Sequence, residues 1–316
     1  MPAPVTEFEL IATLKSHLPL TASVVHGAGD DCAVLAAPAP GNELLFKTDA
    51  IVEGIHFLPE TDPEKIGHKA LARCLSDIAA MGGTPTAAVI TLALPAAPDV
   101  ERIEGIYRGM RKLAERYGVA VVGGETTTNP GRLLINVALL GTVRTGRAVL
   151  RRGARAGDAI FVSGELGGSI HGHHLDFEPR LAEGRWLAET GCVHAMIDVS
   201  DGIAGDLPHL LQAGETPLGA ELLKGAIPIR RAAREAARAG DTAKPSVVAA
   251  LTDGEDFELL FTVAPRDAVP VLDGWKAKFP GARLTCIGKV VDRPGLWLRG
   301  EDGLRPMIGK GYEHFR

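Results

Sequence analysis

Carboxylates gather in short clusters along this chain, each flanked by glycine or hydroxyl residues. Five are prominent: Gly29-Asp30-Asp31, Lys47-Thr48-Asp49, Leu75-Ser76-Asp77, Gly123-Gly124-Glu125-Thr126-Thr127 and Ile197-Asp198-Val199-Ser200-Asp201-Gly202. A sixth, Asp253-Gly254-Glu255-Asp256, precedes an apolar run. Any one of them alone reads as a turn or a helix cap. Six in one chain, mostly where a strand or helix is expected to end, suggest more, because such loops are where a rigid scaffold displays binding groups. Buried carboxylates brought together repel one another unless a cation joins them. Hard divalent cations take oxygen ligands, and Mg2+ binds through one or two carboxylates plus substrate phosphates. The acidic set therefore predicts Mg2+ and, through it, a polyphosphate.

The familiar phosphate-binding signatures are missing. No Gly-x-x-x-x-Gly-Lys-Ser/Thr loop occurs, and Gly27-Ala28-Gly29-Asp30-Asp31-Cys32 has cysteine where a dinucleotide fingerprint needs its third glycine. The glycine-rich Gly164-Glu165-Leu166-Gly167-Gly168-Ser169 could offer backbone N–H groups to phosphate oxygens.

The elements that must position these groups alternate along the first half. Leu44–Thr48 reads as a strand. Asp62-Pro63 opens a helix whose Ile66, Ala70, Leu71, Cys74, Leu75 and Ile78 recur at helical spacing, and Gly82-Gly83 closes it. Strand Thr86–Leu94 and a helix follow, the helix placing Val100, Ile103, Ile106, Tyr107, Met110, Leu113, Ala114 and Tyr117 on one face before Gly118. Val119–Val122 and Leu133–Leu140 complete a sheet. Beyond the polar joint near Arg151-Arg152-Gly153, strands are expected at Ala159–Ser163, Ala195–Val199, Phe257–Val263 and Arg283–Val290. A charged surface helix is expected at Ile229–Ala239. The pattern implies α/β and α+β architecture in two domains, residues 1–150 and 151–316.

Composition narrows the function classes. With 316 residues, 46% apolar, and a net charge of −5, the chain is an ordinary globular one without the basic surface a nucleic-acid binder needs. Cys32, Cys74, Cys192 and Cys286 form no CxxC pair and read as reduced, mostly buried thiols. The N-terminus carries no signal-like segment, and Ala87–Leu94 is too short to span a bilayer, so no membrane association and a cytoplasmic location are expected. His171-Gly172-His173-His174 invites a zinc reading, but with no cysteine nearby a solvated loop or helix start is preferred.

Taken in order, Gly29-Asp30-Asp31-Cys32-Ala33-Val34, Thr48-Asp49 with Glu53-Gly54-Ile55-His56-Phe57, and Leu75-Ser76-Asp77-Ile78-Ala79-Ala80-Met81-Gly82 resemble the thiamine-monophosphate kinases. So do the clusters around Glu125, Asp198 and Glu255, and the ending Gly311-Tyr312-Glu313-His314-Phe315. The resemblance implies an aminoimidazole-ribonucleotide synthetase-like fold. Its N-terminal ATP- and Mg-binding domain builds a barrel across a homodimer, and its C-terminal α+β domain completes the active site. It implies transfer of phosphate from ATP to thiamine monophosphate, giving thiamine diphosphate, with several Mg2+ ions.

Residue by residue, Asp30, Asp31, Thr48, Asp49, Asp77, Asp198 and Asp201 fall on metal positions. Tyr117, Gly124, Glu125, Arg151 and Ser200 fall on ATP positions, and His56, Glu255 and Tyr312 on substrate positions. Asp31, Asp77, Asp198 and Arg151 are then the groups expected to carry the reaction. Three residues depart from the family pattern. Glu125 replaces an aspartate metal ligand and is one methylene longer. Lys47 replaces a metal-binding serine, leaving its backbone carbonyl as the expected ligand. Cys74 replaces asparagine. Such a reaction needs no nucleophilic side chain, since the acceptor oxygen is already anionic. It needs neutralisation: two unit charges at 4 Å interact by about 4 kcal/mol at an effective dielectric of 20.

The competing readings are a purine-pathway cyclo-ligase of the same fold, a Mg-dependent phosphohydrolase and a non-catalytic nucleotide sensor. Selenophosphate synthetase and hydrogenase-maturation types need a terminal reactive cysteine, which this chain lacks.

Overall fold

Asp62 accepts the Glu64 N–H at 2.9 Å and Pro63 takes the first helical position, so helix α1 (Pro63–Ala80) starts where the sequence places it. The structure, a computed structural model, describes residues 24–26, 33–36, 40–95, 99–212, 217–242, 244–307, 309 and 311–312. Around α1 lie β1 (Val24–His26), β2 (Ala33–Ala36), β3 (Asn42–Val52), β4 (Thr84–Leu94), α2 (Val100–Tyr117), β5 (Ala120–Thr128) and β6 (Leu134–Arg144). Their sheet runs β1-β2-β3-β6-β4-β5. Only β4 and β5, joined through α2, pair in parallel among the registers of β2 to β6.

Two helices meet closely on one face of this sheet. A Cβ on Gly67 of α1 would stand 1.8 Å from the Ile106 carbonyl oxygen, and one on Gly109 of α2 would stand 1.9 Å from the Glu64 carbonyl oxygen. The helices therefore touch backbone to backbone, which no side chain permits. Gly67→Ala is expected to force them apart and cost about 1–3 kcal/mol, seen as a lower denaturation midpoint. The buried face of α2 comprises Ile106, Met110, Leu113 and Ala114, while Val100 and Tyr107, expected to share it, are exposed.

The first compact unit spans Asp31–Ala148 and also takes in Gly172–Gly191, so the chain changes unit at Ala148–Val149, near the expected residue 150, and returns to the first unit for one later segment. The added segment carries α3 (His173–Asp176) and α4 (Leu181–Thr190). Gly184 of α4 lies flat on α1, where a Cβ would come within 2.0 Å of the Ala79 carbonyl oxygen.

The second unit is built mainly from Val149–His171 and Cys192–Arg316. It holds β7 (Ala159–Ser163), β8 (Val193–Asp198), α5 (Ile203–Leu210), β9 (Gly219–Leu223), α6 (Arg231–Ala239) and α7 (Ser246–Thr252). It continues with β10 (Leu259–Val263), α8 (Pro265–Lys278), β11 (Leu284–Val291), β12 (Gly295–Gly300) and β13 (Gly303–Pro306). The sheet order is β13-β12-β9-β11-β7-β10-β8. Its core joins Ile160, Val162, Ile197, Leu207, Leu222 and Leu260. The whole is a mixed α/β fold with two sheets, as expected.

Three sequence expectations shift. Two clusters do not end elements: Asp49 lies inside β3 and Glu125 inside β5, whereas Asp77 falls in the last turn of α1, Asp198 ends β8 and Asp253 follows α7. The Phe257–Val263 strand begins only at Leu259, because Glu255 and Phe257 take left-handed φ values of 63° and 51°. Of the described cysteines, only Cys74 is buried. No helix among the described residues is long and apolar enough to cross a membrane.

Candidate active site

In the first unit the candidate residues sit on β3, in the turn after it, on α1, at the end of α2 and in β5. Successive strand residues point to opposite faces. Lys47 and Asp49 therefore share one face and meet α1: Lys47 Nζ lies 2.9 Å from Asp77 Oδ1, and Arg73 Nε lies 3.0 Å from Asp49 Oδ2. Thr48 takes the other face, where its hydroxyl donates to Asn136 Oδ1 on β6 at 2.8 Å. The structure thus gathers Lys47, Asp49, Asp77 and Arg73, and Thr48 does not join them. Asp30 and Asp31 lie outside the described residues.

His56 closes the turn after β3, its N–H donating to the Val52 carbonyl at 2.9 Å. Its Nδ1 accepts the Val52 N–H at 3.0 Å, so the neutral ring carries its proton on Nε2. Beneath the turn, the fully buried Lys69 donates to the His56 carbonyl at 2.5 Å and sits 2.7 Å from His174 Nδ1. His174 is only 6% exposed, so the solvated-loop expectation for His171–His174 fails at that residue: its ring is enclosed against Lys69, although a helix does start at His173.

Tyr117 ends α2 with its phenol donating to Glu178, and burial followed by that carboxylate pushes its hydroxyl pKa up. Gly124 and Glu125 do not form the expected turn. They follow a bulge in β5, where Ala88 pairs with Val121 but Val89 pairs with Gly123. Gly124 is obligatory there, since a Cβ would meet the Ile90 carbonyl oxygen at 1.8 Å. Glu125 stands exposed opposite Thr91.

In the second unit, one loop organises the candidates. β8 ends at Asp198, only 3% exposed, and the chain continues through Val199, Ser200 and Asp201 into α5. Glu255 donates its N–H to the Ser200 carbonyl at 2.7 Å, Phe257 to the Val199 carbonyl at 2.8 Å, and Tyr312 to the Asp201 carbonyl at 3.1 Å. Three sequence-distant expectations, Ser200–Asp201, Glu255 and Tyr312, thereby meet at one place. The left-handed Glu255 backbone is strained, a cost of about 1–3 kcal/mol that recurs at functional sites. Arg151 lies within electrostatic reach, lowering the pKa of Asp206.

Sequence reasoning missed Asp206. It is 2% exposed and accepts the Asp201 N–H at 2.9 Å. Burial first, then repulsion from Asp201 and Asp198, drives its pKa well up. An acidic residue in the first turn of the helix behind Asp-Val-Ser-Asp-Gly was the available signal. Lys69 was also missed, although it sits three residues after Ile66 on the buried face of α1.

The sixth acidic cluster plays a different part from the one expected. Asp256 is fully buried and accepts the Gly167 N–H at 2.8 and 3.0 Å, the Ser169 hydroxyl, and Arg230 at 3.2 Å. Asp253 accepts the Gly168 N–H at 3.2 Å. The glycine-rich loop therefore spends these N–H groups on carboxylates of its own chain, and the phosphate-cradle expectation for Gly167 and Gly168 is corrected.

A family model described as AIR synthase related protein, N-terminal domain, matches residues 29–143. Thiamine-monophosphate kinase of Rhodopirellula baltica is 42% identical over 301 residues, covering 93% of this chain and 92% of its own. This chain belongs to the thiamine-monophosphate kinase family. The Escherichia coli K12 thiamine-monophosphate kinase is 34% identical over 336 residues, with 98% of both chains covered. Among solved structures, AaThiL complexed with AMPPCP and TMP superposes with a TM-score of 0.81 at 31% identity, covering 98% of this chain and 97% of that one.

For a thiamine-monophosphate kinase, the fit of a divalent cation differs between the two acidic sets. The buried Asp198 and Asp206 and the partly exposed Asp201 crowd like charges that Arg151 only partly offsets, and carboxylate oxygens suit a hard cation. In the first unit, Asp49 and Asp77 already have Arg73 and Lys47. Among the described residues, no three acidic, histidine or cysteine side chains stand in a ready-made metal geometry.

Proposed function

We propose that this protein transfers the γ-phosphoryl group of ATP to the phosphate of thiamine monophosphate, releasing ADP and thiamine diphosphate. The observation that carries this reading is the Asp198–Gly202 loop, which Glu255, Phe257 and Tyr312 clamp through backbone hydrogen bonds. That clamp fixes the buried Asp198 carboxylate, the partly exposed Asp201 and two substrate candidates, Glu255 and Tyr312, around a single turn, an arrangement a turn-only role for these residues does not require.

The acceptor is anionic near neutral pH, so the chain needs no general base. Its task is positioning and charge neutralisation. Asp198 and Asp201, with Asp31, Asp49 and Asp77 as further candidates, would hold Mg2+, which would supply positive charge to offset the repulsion between the two phosphates. Arg151 supplies a fixed guanidinium fork suited to phosphate. Ser200, Gly124, Glu125 and Tyr117 are assigned to the nucleotide. The Glu255 carboxylate suits the cationic ring of thiamine, Tyr312 offers a half-exposed aromatic face, and His56 presents the proton on Nε2.

Incubation of purified protein with ATP, Mg2+ and thiamine monophosphate should yield thiamine diphosphate by chromatography. ADP with free phosphate and no thiamine diphosphate would identify a hydrolase instead. His56→Ala is expected to raise the KM for thiamine monophosphate about 10-fold or more, since a hydrogen bond to a charged group contributes about 1.5–3 kcal/mol. The KM for ATP should stay near its wild-type value, and an equal rise in both would remove His56 from the substrate assignment.

The finer architecture belongs to the same proposal. Strand β5 is exposed along its whole length at one edge of the sheet. Val122 is 66% exposed, Val89 on the neighbouring β4 is 40% exposed, and Phe46 on β3 of the same sheet is 44% exposed. Among the described residues β5 pairs on one side only, with β4, and such an open edge invites pairing; a second copy of this chain is the proposed cover. Light scattering should return twice the 33.2 kDa chain mass.

A further inference from the structure

Two ion pairs join β3 to α1 near the buried Cys74, Lys47 with Asp77 and Arg73 with Asp49. After burial, Asp49 and Asp77 raise the pKa of the Cys74 thiol, while Lys47 and Arg73 lower it. The ion pairs Lys47–Asp77 and Arg73–Asp49, at 2.9 and 3.0 Å, bring these four side chains to zero formal charge. The Asp77 side chain is 7% exposed and that of Lys47 22%. A carboxylate so buried is costly unless a cation accompanies it, and the ammonium is already within hydrogen-bond distance of Oδ1. Strand geometry maintains this arrangement, because β3 directs residue 47 toward α1 and directs Thr48 away. An Mg2+ ion bound to the same oxygen would stand about 2.0–2.1 Å from it, where it would confront the ammonium directly.

We infer that the Lys47 ammonium is a built-in cation that fills one cation position at Asp77, so that this chain holds one divalent ion fewer than it would with a neutral oxygen side chain at residue 47. The inference rests on the kinase reading for its purpose: the lysine charge is covalently attached, so this part of the neutralisation no longer depends on free Mg2+. Position 47 then brings charge through its side chain, where a backbone carbonyl ligand had been expected.

The test counts Mn2+ bound per full-length chain by electron paramagnetic resonance, with saturating AMPPCP, in wild type, Lys47→Ser and Lys47→Arg. The expected result is one additional Mn2+ in Lys47→Ser and the wild-type number in Lys47→Arg. The half-saturating Mg2+ concentration for turnover should rise in Lys47→Ser alone. Equal Mn2+ counts in Lys47→Ser and wild type overturn the inference. Should Lys47→Ser unfold in the absence of metal, millimolar Mg2+ is expected to restore its circular dichroism, and failure to fold with and without Mg2+ overturns it as well. Cation counting needs no thiamine monophosphate. An extra Mn2+ in Lys47→Ser together with a failed product assay would remove the substrate assignment and leave the built-in cation standing.

Discussion

Replacing Asp198 by Asn is expected to lower kcat by about 10²–10³-fold, the range seen when one electrostatic stabiliser of a transition state is removed. Stability should move the other way. Asp198 is buried and contributes to the repulsion that raises the Asp206 pKa. A neutral, isosteric amide relieves that repulsion, so the thermal midpoint should hold or rise while turnover falls. The two readouts together separate a working carboxylate from a structural one. Loss of both would indicate that Asp198 only holds β8 in place, and unchanged kcat would remove it from the reaction.

Asp256→Ala is expected to act on folding, by about 3–5 kcal/mol, the cost of breaking a buried charge pair from one side. The Gly167 N–H, the Ser169 hydroxyl and the Arg230 guanidinium all lose their acceptor at once. Denaturant titration at pH 7 measures the loss. The titration of Asp256 adds a pH signature. Burial raises its pKa from 3.8 to about 6, against the opposing pull of Ser169, Gly167 and Arg230. The folded protein therefore binds more protons than the unfolded chain between about pH 4 and 6. Its raised-pKa contribution is fully present below about pH 4 and is lost as pH rises through about 6. That loss amounts to about 3 kcal/mol at 1.36 kcal/mol per pH unit. Asp256→Asn, which cannot titrate, should accordingly cost about 3 kcal/mol less at pH 7 than at pH 4. A pH-independent difference between Asn and wild type would refute the raised pKa.

Much of this was legible in the sequence where a local rule acted alone. The Asp62-Pro63 start of α1, the left-handed Gly118 after α2 and the left-handed Gly240 after α6 follow from capping chemistry within one turn of chain. The ordered acidic motifs likewise pointed to the family. The sequence concealed facts that depend on residues distant in the chain. Nothing local to Asp253-Gly254-Glu255-Asp256 says that its carboxylates will seize the Gly167 and Gly168 N–H groups some 85 residues earlier. Nothing local to Lys47 says that its ammonium will reach Asp77 rather than solvent. Helix α8 escaped because Pro270 interrupts its pattern, and β12 and β13 because short glycine-bounded runs carry little periodic signal.

The place of α4 in the first unit sets the order in which this protein can be made. Among the described residues, its glycine seat on α1 is filled by Gly184 of the helix Leu181–Thr190, well past the midpoint of the chain. During synthesis the earlier helix emerges from the ribosome with that flank bare and must wait for later sequence to cover it. A polypeptide ending at Ala148 would retain every strand of the first sheet and still expose this flank, so the first half of the gene should not encode a separately soluble product.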